Sequence, residues 1–290
     1  RVLFATVAVL IGFGLVMVYS ASAALARPDG LNQFLVRQAA AMLVGAFAMV
    51  VVMHGDYRWL RRKPVVYTLV GGVLFLLVVV LFAPTLNNVR RWLFIGGVSL
   101  QPSELAKLAL VPFLAYQIER KQDRVNSASL LVPAAGMAGL MALLVVREPD
   151  MGTAVLLIAT MVVMLFLAGL SWKWVAGGAL LALPMVWALV RFSPYRFGRL
   201  MAFLEPEKDP LGSGFQALQS LIAVGSGGVA GLGPGQSMQK LYFLPYPHTD
   251  FIYAIVAEEL GMLGALAVVA LFAVVLWRGM RAGFRAPDVF

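Results

Sequence analysis

Apolar runs of roughly twenty residues recur along this chain, and they constrain its fold more than any other feature. Each is long enough to cross about 30 Å of hydrocarbon as a helix rising 1.5 Å per residue. Inside a bilayer every backbone N–H and C=O must be satisfied within the protein, so only helices and closed barrels cross it. The alternating ten-residue pattern of a barrel strand is absent, which leaves helices. The composition agrees: 61% of the 290 residues are hydrophobic and 13% are charged, against about 25% charged in a soluble domain.

Hydropathy places eight spans at about 2–25, 34–53, 65–83, 101–118, 129–146, 153–170, 174–192 and 251–277. The expected fold is therefore an all-α polytopic membrane protein, a single membrane domain over 1–290 with about eight transmembrane helices and one long loop over 193–250. The first run is too long and too apolar for a signal peptide. The start at Arg1 without Met, and the end just after a helix, lead us to expect a piece of a longer chain.

Alternate connections carry the basic residues: Arg58, Arg61, Arg62 and Lys63, then Arg120, Lys121 and Arg124, then Lys173, then Arg278, Arg281 and Arg285. Short basic loops face the cytoplasm, so the net charge of +9 reads as membrane orientation and not as nucleic-acid binding. Cysteine is absent and the two histidines, His54 and His248, are far apart, so neither thiolate chemistry nor a usual zinc cluster is available.

The opposite face carries arginines against that bias. Asn87, Asn88, Arg90, Arg91 and Trp92 form one cluster. Arg147, Glu148, Pro149 and Asp150 form a second, and Arg191, Arg196 and Arg199 lead into the long loop. A guanidinium fork matches phosphate oxygens, so a multivalent anion is one reason for them; lipid headgroup anchoring is the other. Glu104 and Lys107 share a helix face at i,i+3, as an ion pair, as cavity lining, or as both. Asp150 is placed to cap the helix that follows it, whereas Glu148 has no such structural task.

In the long loop, Phe215, Leu218, Leu221 and Ile222 recur at helical spacing, as in an amphipathic helix on the membrane. The following GSGGVAGLGPGQS, 225–237, lacks Walker A spacing and reads more readily as a hinge or re-entrant turn than as a phosphate cradle. KLYFLPYPHTDFIYAIVAEELG, 240–261, then carries Asp250 to the membrane boundary, with Glu258 and Glu259 about two turns further on. Carboxylates so close to hydrocarbon are costly and mark a task. For Asp250 the alternatives are an N-cap of the last span and a general base.

Five ordered motifs resemble the SEDS family of membrane proteins over nearly the whole chain: Arg90-Arg91-Trp92, QPSELAKL at 101–108, REPDMGTA at 147–154, FQALQSLIAVGSGG at 215–228 and LPYPHTDFIYAIVAEELG at 244–261. The Gln219-Ser220 region and the EELG ending are more similar to division-type (FtsW-like) than to elongation-type (RodA-like) members. The resemblance implies a glycosyltransferase that polymerises lipid II on the outer face of the bacterial cytoplasmic membrane, at the division septum, beside a class B penicillin-binding protein and other division proteins. It implies Asp250 as the catalytic carboxylate. The remaining residues expected at the substrate are Arg90, Arg91, Glu104, Lys107, Arg147, Glu148, Asp150, Arg196, Arg199, Gln219, Ser220, Lys240, His248 and Thr249. The family usually has ten spans, so the last two are missing here. Tyr246-Pro247 stand where an acidic residue is frequent, and Asn88 stands where glycine is common.

The implied reaction inverts the donor sugar, which requires one base on the acceptor hydroxyl and no enzyme nucleophile. Its pyrophosphate leaving group needs positive charge, from arginines or from a divalent cation, Mg²⁺ or Mn²⁺, although the sequence writes no closed metal site. Two other classes stay open: a transporter that flips lipid-linked precursors, and a non-catalytic scaffold for a synthase.

Overall fold

The structure is a computed structural model that describes residues 1–23, 33–84, 89–95, 98–286 and 290. Asn87 and Asn88, and most of the 26–33 connection, lie outside the described residues. Helices α1 (Val2–Ser22), α2 (Gln33–His54), α3 (Lys63–Val80), α4 (Pro102–Arg120), α5 (Ala128–Arg147), α6 (Met151–Leu167), α7 (Trp172–Arg191) and α10 (Ile252–Gly283) answer the eight expected spans one for one. Among the described residues six of these, α1, α2, α3, α5, α7 and α10, are long and apolar enough to cross a membrane. Helix α6 is apolar but has 17 residues. Helix α4 carries Glu104, Lys107, Glu119 and Arg120, so its apolar stretch is confined to its middle.

The long loop holds two further helices, α8 (Pro194–Leu204) and α9 (Phe215–Gly227). Helix α9 is the amphipathic segment expected at 215–222, and it packs against α10. Helix α8 was not foreseen. Between the two, the Asp209 carboxylate accepts from the Ser213 backbone N–H at 2.7 Å, which holds the acid below its usual range. A two-stranded antiparallel hairpin, β1 (Leu93–Ile95) and β2 (Val98–Leu100), adds strand to the expected all-helical fold, with Leu93 opposite Leu100.

The chain divides into two compact units, and the division falls inside α7. The first comprises α1, α2, the end of α7, and α8 to α10. Its core is Met17, Ala21, Ala223, Leu244, Ala254, Ile255 and Val256, where α10 meets α1 and α9. The second comprises α3 to α6 and most of α7. Leu77, Leu110, Phe113, Leu114, Leu130, Met141 and Leu157 are its largest fully or nearly buried apolar side chains. In this unit Arg61 pairs with Glu119, joining the short turn before α3 to the end of α4. Most remaining apolar side chains are exposed, as bundle surfaces in lipid should be.

Helix α10 is broken at Gly261, where φ is +66°. A Cβ there would lie 2.3 Å from the Gly231 nitrogen, and a Cβ on Gly231 would lie 2.2 Å from the Glu259 carbonyl oxygen. Only glycine permits both the backbone sign and the approach. The interrupted ladder is repaired from the glycine-rich loop: Leu232 and Gly233 N–H donate to the Glu258 and Glu259 carbonyls at 3.0 and 2.9 Å. In return Met262 N–H donates to the Gly228 carbonyl at 2.9 Å. The glycine run is thus a re-entrant turn stitched across a broken helix by backbone hydrogen bonds in both directions.

Candidate active site

Asp250 lies in the turn that precedes α10, exposed. The boundary residue of α10 is Phe251, and no side chain caps it, so Asp250 does not serve as the N-cap. Among the described residues no hydrogen bond or ion pair engages its carboxylate. A charged oxygen pair with no structural employment, presented by a fixed turn, is available to a ligand.

The turn is held from both sides. The His248 ring rests on Phe34 of α2, with centroids 4.2 Å apart, and the Thr249 hydroxyl donates to the Tyr246 carbonyl at 3.4 Å. Burial pushes the His248 imidazole below its usual range, against the opposing charge of Asp250. Among the described residues its buried Nδ1 has no hydrogen-bond partner.

Beneath this turn lies a buried polar cluster. Glu259 accepts from the Ser20 hydroxyl of α1 at 2.7 Å, from the Gly235 N–H at 2.9 Å and from Lys240 Nζ at 2.8 Å. Lys240 Nζ also donates to the Gly235 carbonyl at 2.7 Å and to Ser20 Oγ at 3.1 Å. Lys240 thus has all three donors engaged inside the protein. Glu258 accepts from the Ser237 hydroxyl and from the Met238 N–H at 2.9 Å. Glu258 and Glu259 are each 1% exposed and fully partnered; their place is at the helix break, not part-way down a continuous span. Sequence reasoning missed Ser20 and Ser237. Ser20 had a signal, as a hydroxyl near the end of an apolar span.

In the second unit the sequence-predicted residues gather around the α5–α6 turn. Arg91 Nε donates to the Glu148 carbonyl at 2.8 Å, and its terminal nitrogen donates to the Pro149 carbonyl. Arg90 donates to the Leu81 carbonyl at 2.9 Å. Asp150 caps α6 as expected, accepting from Thr153 N–H at 3.2 Å, and also accepts from the Gln101 amide at 3.2 Å. Glu148 has no exposed surface, and among the described residues neither of its carboxyl oxygens has a partner. Burial first, and then the charge of Asp150, push its pKa up to about 8 against the opposing pull of Arg91. Glu104 and Lys107 form the expected i,i+3 ion pair at 2.8 Å, open to solvent. Arg147 is exposed at the end of α5.

The other predicted residues of the first unit have local partners. Arg196 donates to the Leu189 carbonyl at 3.1 Å, and the Arg199 guanidinium lies over the Tyr195 ring at 4.9 Å. Ser220 donates to the Ala217 carbonyl at 2.7 Å, and Gln219 is half-buried on α9. Among the described residues no three His, Asp or Glu side chains cluster as a resident metal would need.

Fold and site together define a multi-pass helical membrane protein with a loop-borne free carboxylate above a broken helix. Residues 1–290 match the family model described as cell cycle protein, FTSW_RODA_SPOVE. The chain is 40% identical over its full length to a probable peptidoglycan glycosyltransferase FtsW of Trichlorobacter lovleyi, covering 77% of that protein. It is 41% identical to stage V sporulation protein E of Bacillus subtilis, over 97% of this chain and 78% of that one. Among solved structures, one reported under polymerization and crosslinking by a peptidoglycan synthase complex matches with a TM-score of 0.79 at 30% identity, covering 99% of this chain and 79% of that one. The rod shape determining protein RodA of Thermus thermophilus matches with a TM-score of 0.70 at 25% identity, covering 99% of this chain and 76% of that one. The chain belongs to the FtsW/RodA/SpoVE family.

Proposed function

We propose that this chain is a peptidoglycan glycosyltransferase that polymerises lipid II, with Asp250 as its general base. The observation that carries the reading is Asp250 itself: an exposed carboxylate at a loop–helix junction, neither capping the helix nor paired. In the reaction, Asp250 takes the proton from the C4 hydroxyl of the acceptor GlcNAc. The freed oxygen attacks C1 of the donor MurNAc from the face opposite the leaving group. The C1–O bond to undecaprenyl pyrophosphate breaks, its electron pair stays on the phosphate oxygen, and the anomeric centre inverts. The proton passes from Asp250 to water. His248, next to Asp250 and resting on Phe34, is a positioning residue in this scheme.

The leaving pyrophosphate requires positive charge, which arginine side chains or a divalent cation would supply. The relatives named FtsW support a division role, hence a place at the septum of the cytoplasmic membrane, with the Asp250 face outward. The synthase-complex neighbour supports a class B penicillin-binding protein as partner. The transporter reading is weakened because Lys240 and Glu259 pair with each other and Glu258 is held by the Ser237 hydroxyl and the Met238 N–H.

Reconstituted protein given lipid II is the test. Asp250→Asn should lose at least about a hundredfold in glycan polymerisation while inserting and melting as the parent does. Undiminished polymer from that variant would overturn the assignment, and lipid movement without polymer from the parent would favour the transporter. Parallel reactions with a chelator test the divalent ion.

A further inference from the structure

Helix α8 and the last residue of α7 carry three arginines that the proposed reaction does not use. Helix α7 is a membrane-crossing helix with no buried residue, and it ends at Arg191; α8 begins at Pro194. Two residues of chain hold α8 close to the membrane surface at which α7 ends, and the Arg196 bond to the Leu189 carbonyl keeps the corner folded.

The outward surface of α8 is unlike that of a helix in water. Tyr195, Leu200, Phe203 and Leu204 are exposed, Phe203 by 78%. Leu211, just beyond, is 89% exposed. Aromatic and aliphatic side chains interleaved with arginines suit the headgroup layer, where rings and methylenes reach the acyl boundary and guanidiniums stay in the polar zone.

The charges point the same way. Arg191 lies over the Phe197 ring at 5.1 Å, and Arg199 over Tyr195 at 4.9 Å. Stacking spends the guanidinium face and leaves its N–H edge for an anion. Among the described residues no carboxylate pairs with Arg191, Arg196 or Arg199, and the nearby Glu205 is taken by Lys208. A lipid phosphate is the anion already present at that depth.

We infer that α8 is a lipid-recognition element that lies in the headgroup layer and holds the phosphates of anionic phospholipids with Arg191, Arg196 and Arg199. It acts independently of the glycosyltransferase reading.

The chain has no cysteine, so a single nitroxide at Phe203→Cys reports its depth cleanly, with Leu200→Cys as a second position should the first disturb the helix. The full chain is placed in nanodiscs of phosphatidylcholine, with or without phosphatidylglycerol. The label should be more accessible to oxygen than to a nickel chelate. Phosphatidylglycerol should raise the membrane-contacting population about fivefold per engaged guanidinium. Replacing the three arginines by glutamine should remove that gain. A label open to nickel in both discs overturns the membrane placement. Burial that ignores both phosphatidylglycerol and the arginines overturns phosphate recognition. The same gain from inorganic phosphate alone would assign the site to a free ion. Protection that appears only on adding a penicillin-binding protein would assign the face to a protein.

Discussion

Lys240 Nζ and Glu259 Oε1 meet at 2.8 Å with 6% and 1% of their side chains exposed, one in the loop before α10 and the other at its break. Removing one member of such a pair leaves a buried charge without its partner, at a cost of about 3–5 kcal/mol. Lys240→Met or Glu259→Gln should therefore lower the melting temperature sharply. The double variant Lys240→Met/Glu259→Leu should recover much of the loss, because it strands no charge. A double variant as unstable as the sum of its parts would show that the two residues act separately.

Gly261→Ala should be strongly damaging for a single added methyl. It forces a side chain into a positive-φ position, about 1–3 kcal/mol, and drives a Cβ into the Gly231 backbone. The expected result is loss of the folded fraction on size-exclusion chromatography, whereas Gly279→Ala, where nothing lies within 4 Å of the added Cβ, should behave as the parent. Equal behaviour of the two variants would mean that the break is not needed.

Glu148 makes stability depend on pH in a direction opposite to that of an ordinary carboxylate. Its pKa rises from 4.5 to about 8 on folding. Below pH 4.5 both the folded and unfolded chains hold the proton. Between there and about pH 8 only the folded chain does, so stability falls with rising pH by at most about 1.4 kcal/mol per unit. Above that both forms are ionised and the slope vanishes. Glu148→Gln should flatten the melting-temperature profile across this window and should be more stable than the parent at its alkaline end. An unchanged slope would place the titrating group elsewhere.

Glu104 and Lys107 are an exposed pair, worth about 0.2–1 kcal/mol. Glu104→Gln and Lys107→Ala should shift melting by no more than that. A fall in lipid II polymerisation of tenfold or more in either variant would then be a functional loss; parental activity in both would remove the pair from the substrate region.

The spans were legible because hydrocarbon thickness and backbone hydrogen bonding leave few solutions for an apolar run, and eight expected spans returned as eight helices. Asp150 was legible as a cap because capping is local. Helix α8 was missed because Arg196 and Arg199 interrupt its apolar pattern, and the hairpin because each strand has only three residues. The break at Gly261 was hidden inside an unbroken hydrophobic run; it exists because of a glycine thirty residues earlier, and that distance in sequence is what local pattern cannot carry. The same holds for Lys240 and Ser20, whose pairing spans 220 positions.

Counted from the break, the last helix has a different depth from the one its hydropathy suggests. Met262–Gly283 alone measures roughly 33 Å, close to the full hydrocarbon thickness. The segment above it, Ile252–Leu260, is surplus to the crossing. By ending one helix and starting another at a single glycine, the chain places two glutamates before a segment that is by itself long enough to cross, without interrupting its run of apolar residues. The turn that carries Asp250 is thereby set off from that crossing segment by the polar contacts of Ile252–Leu260.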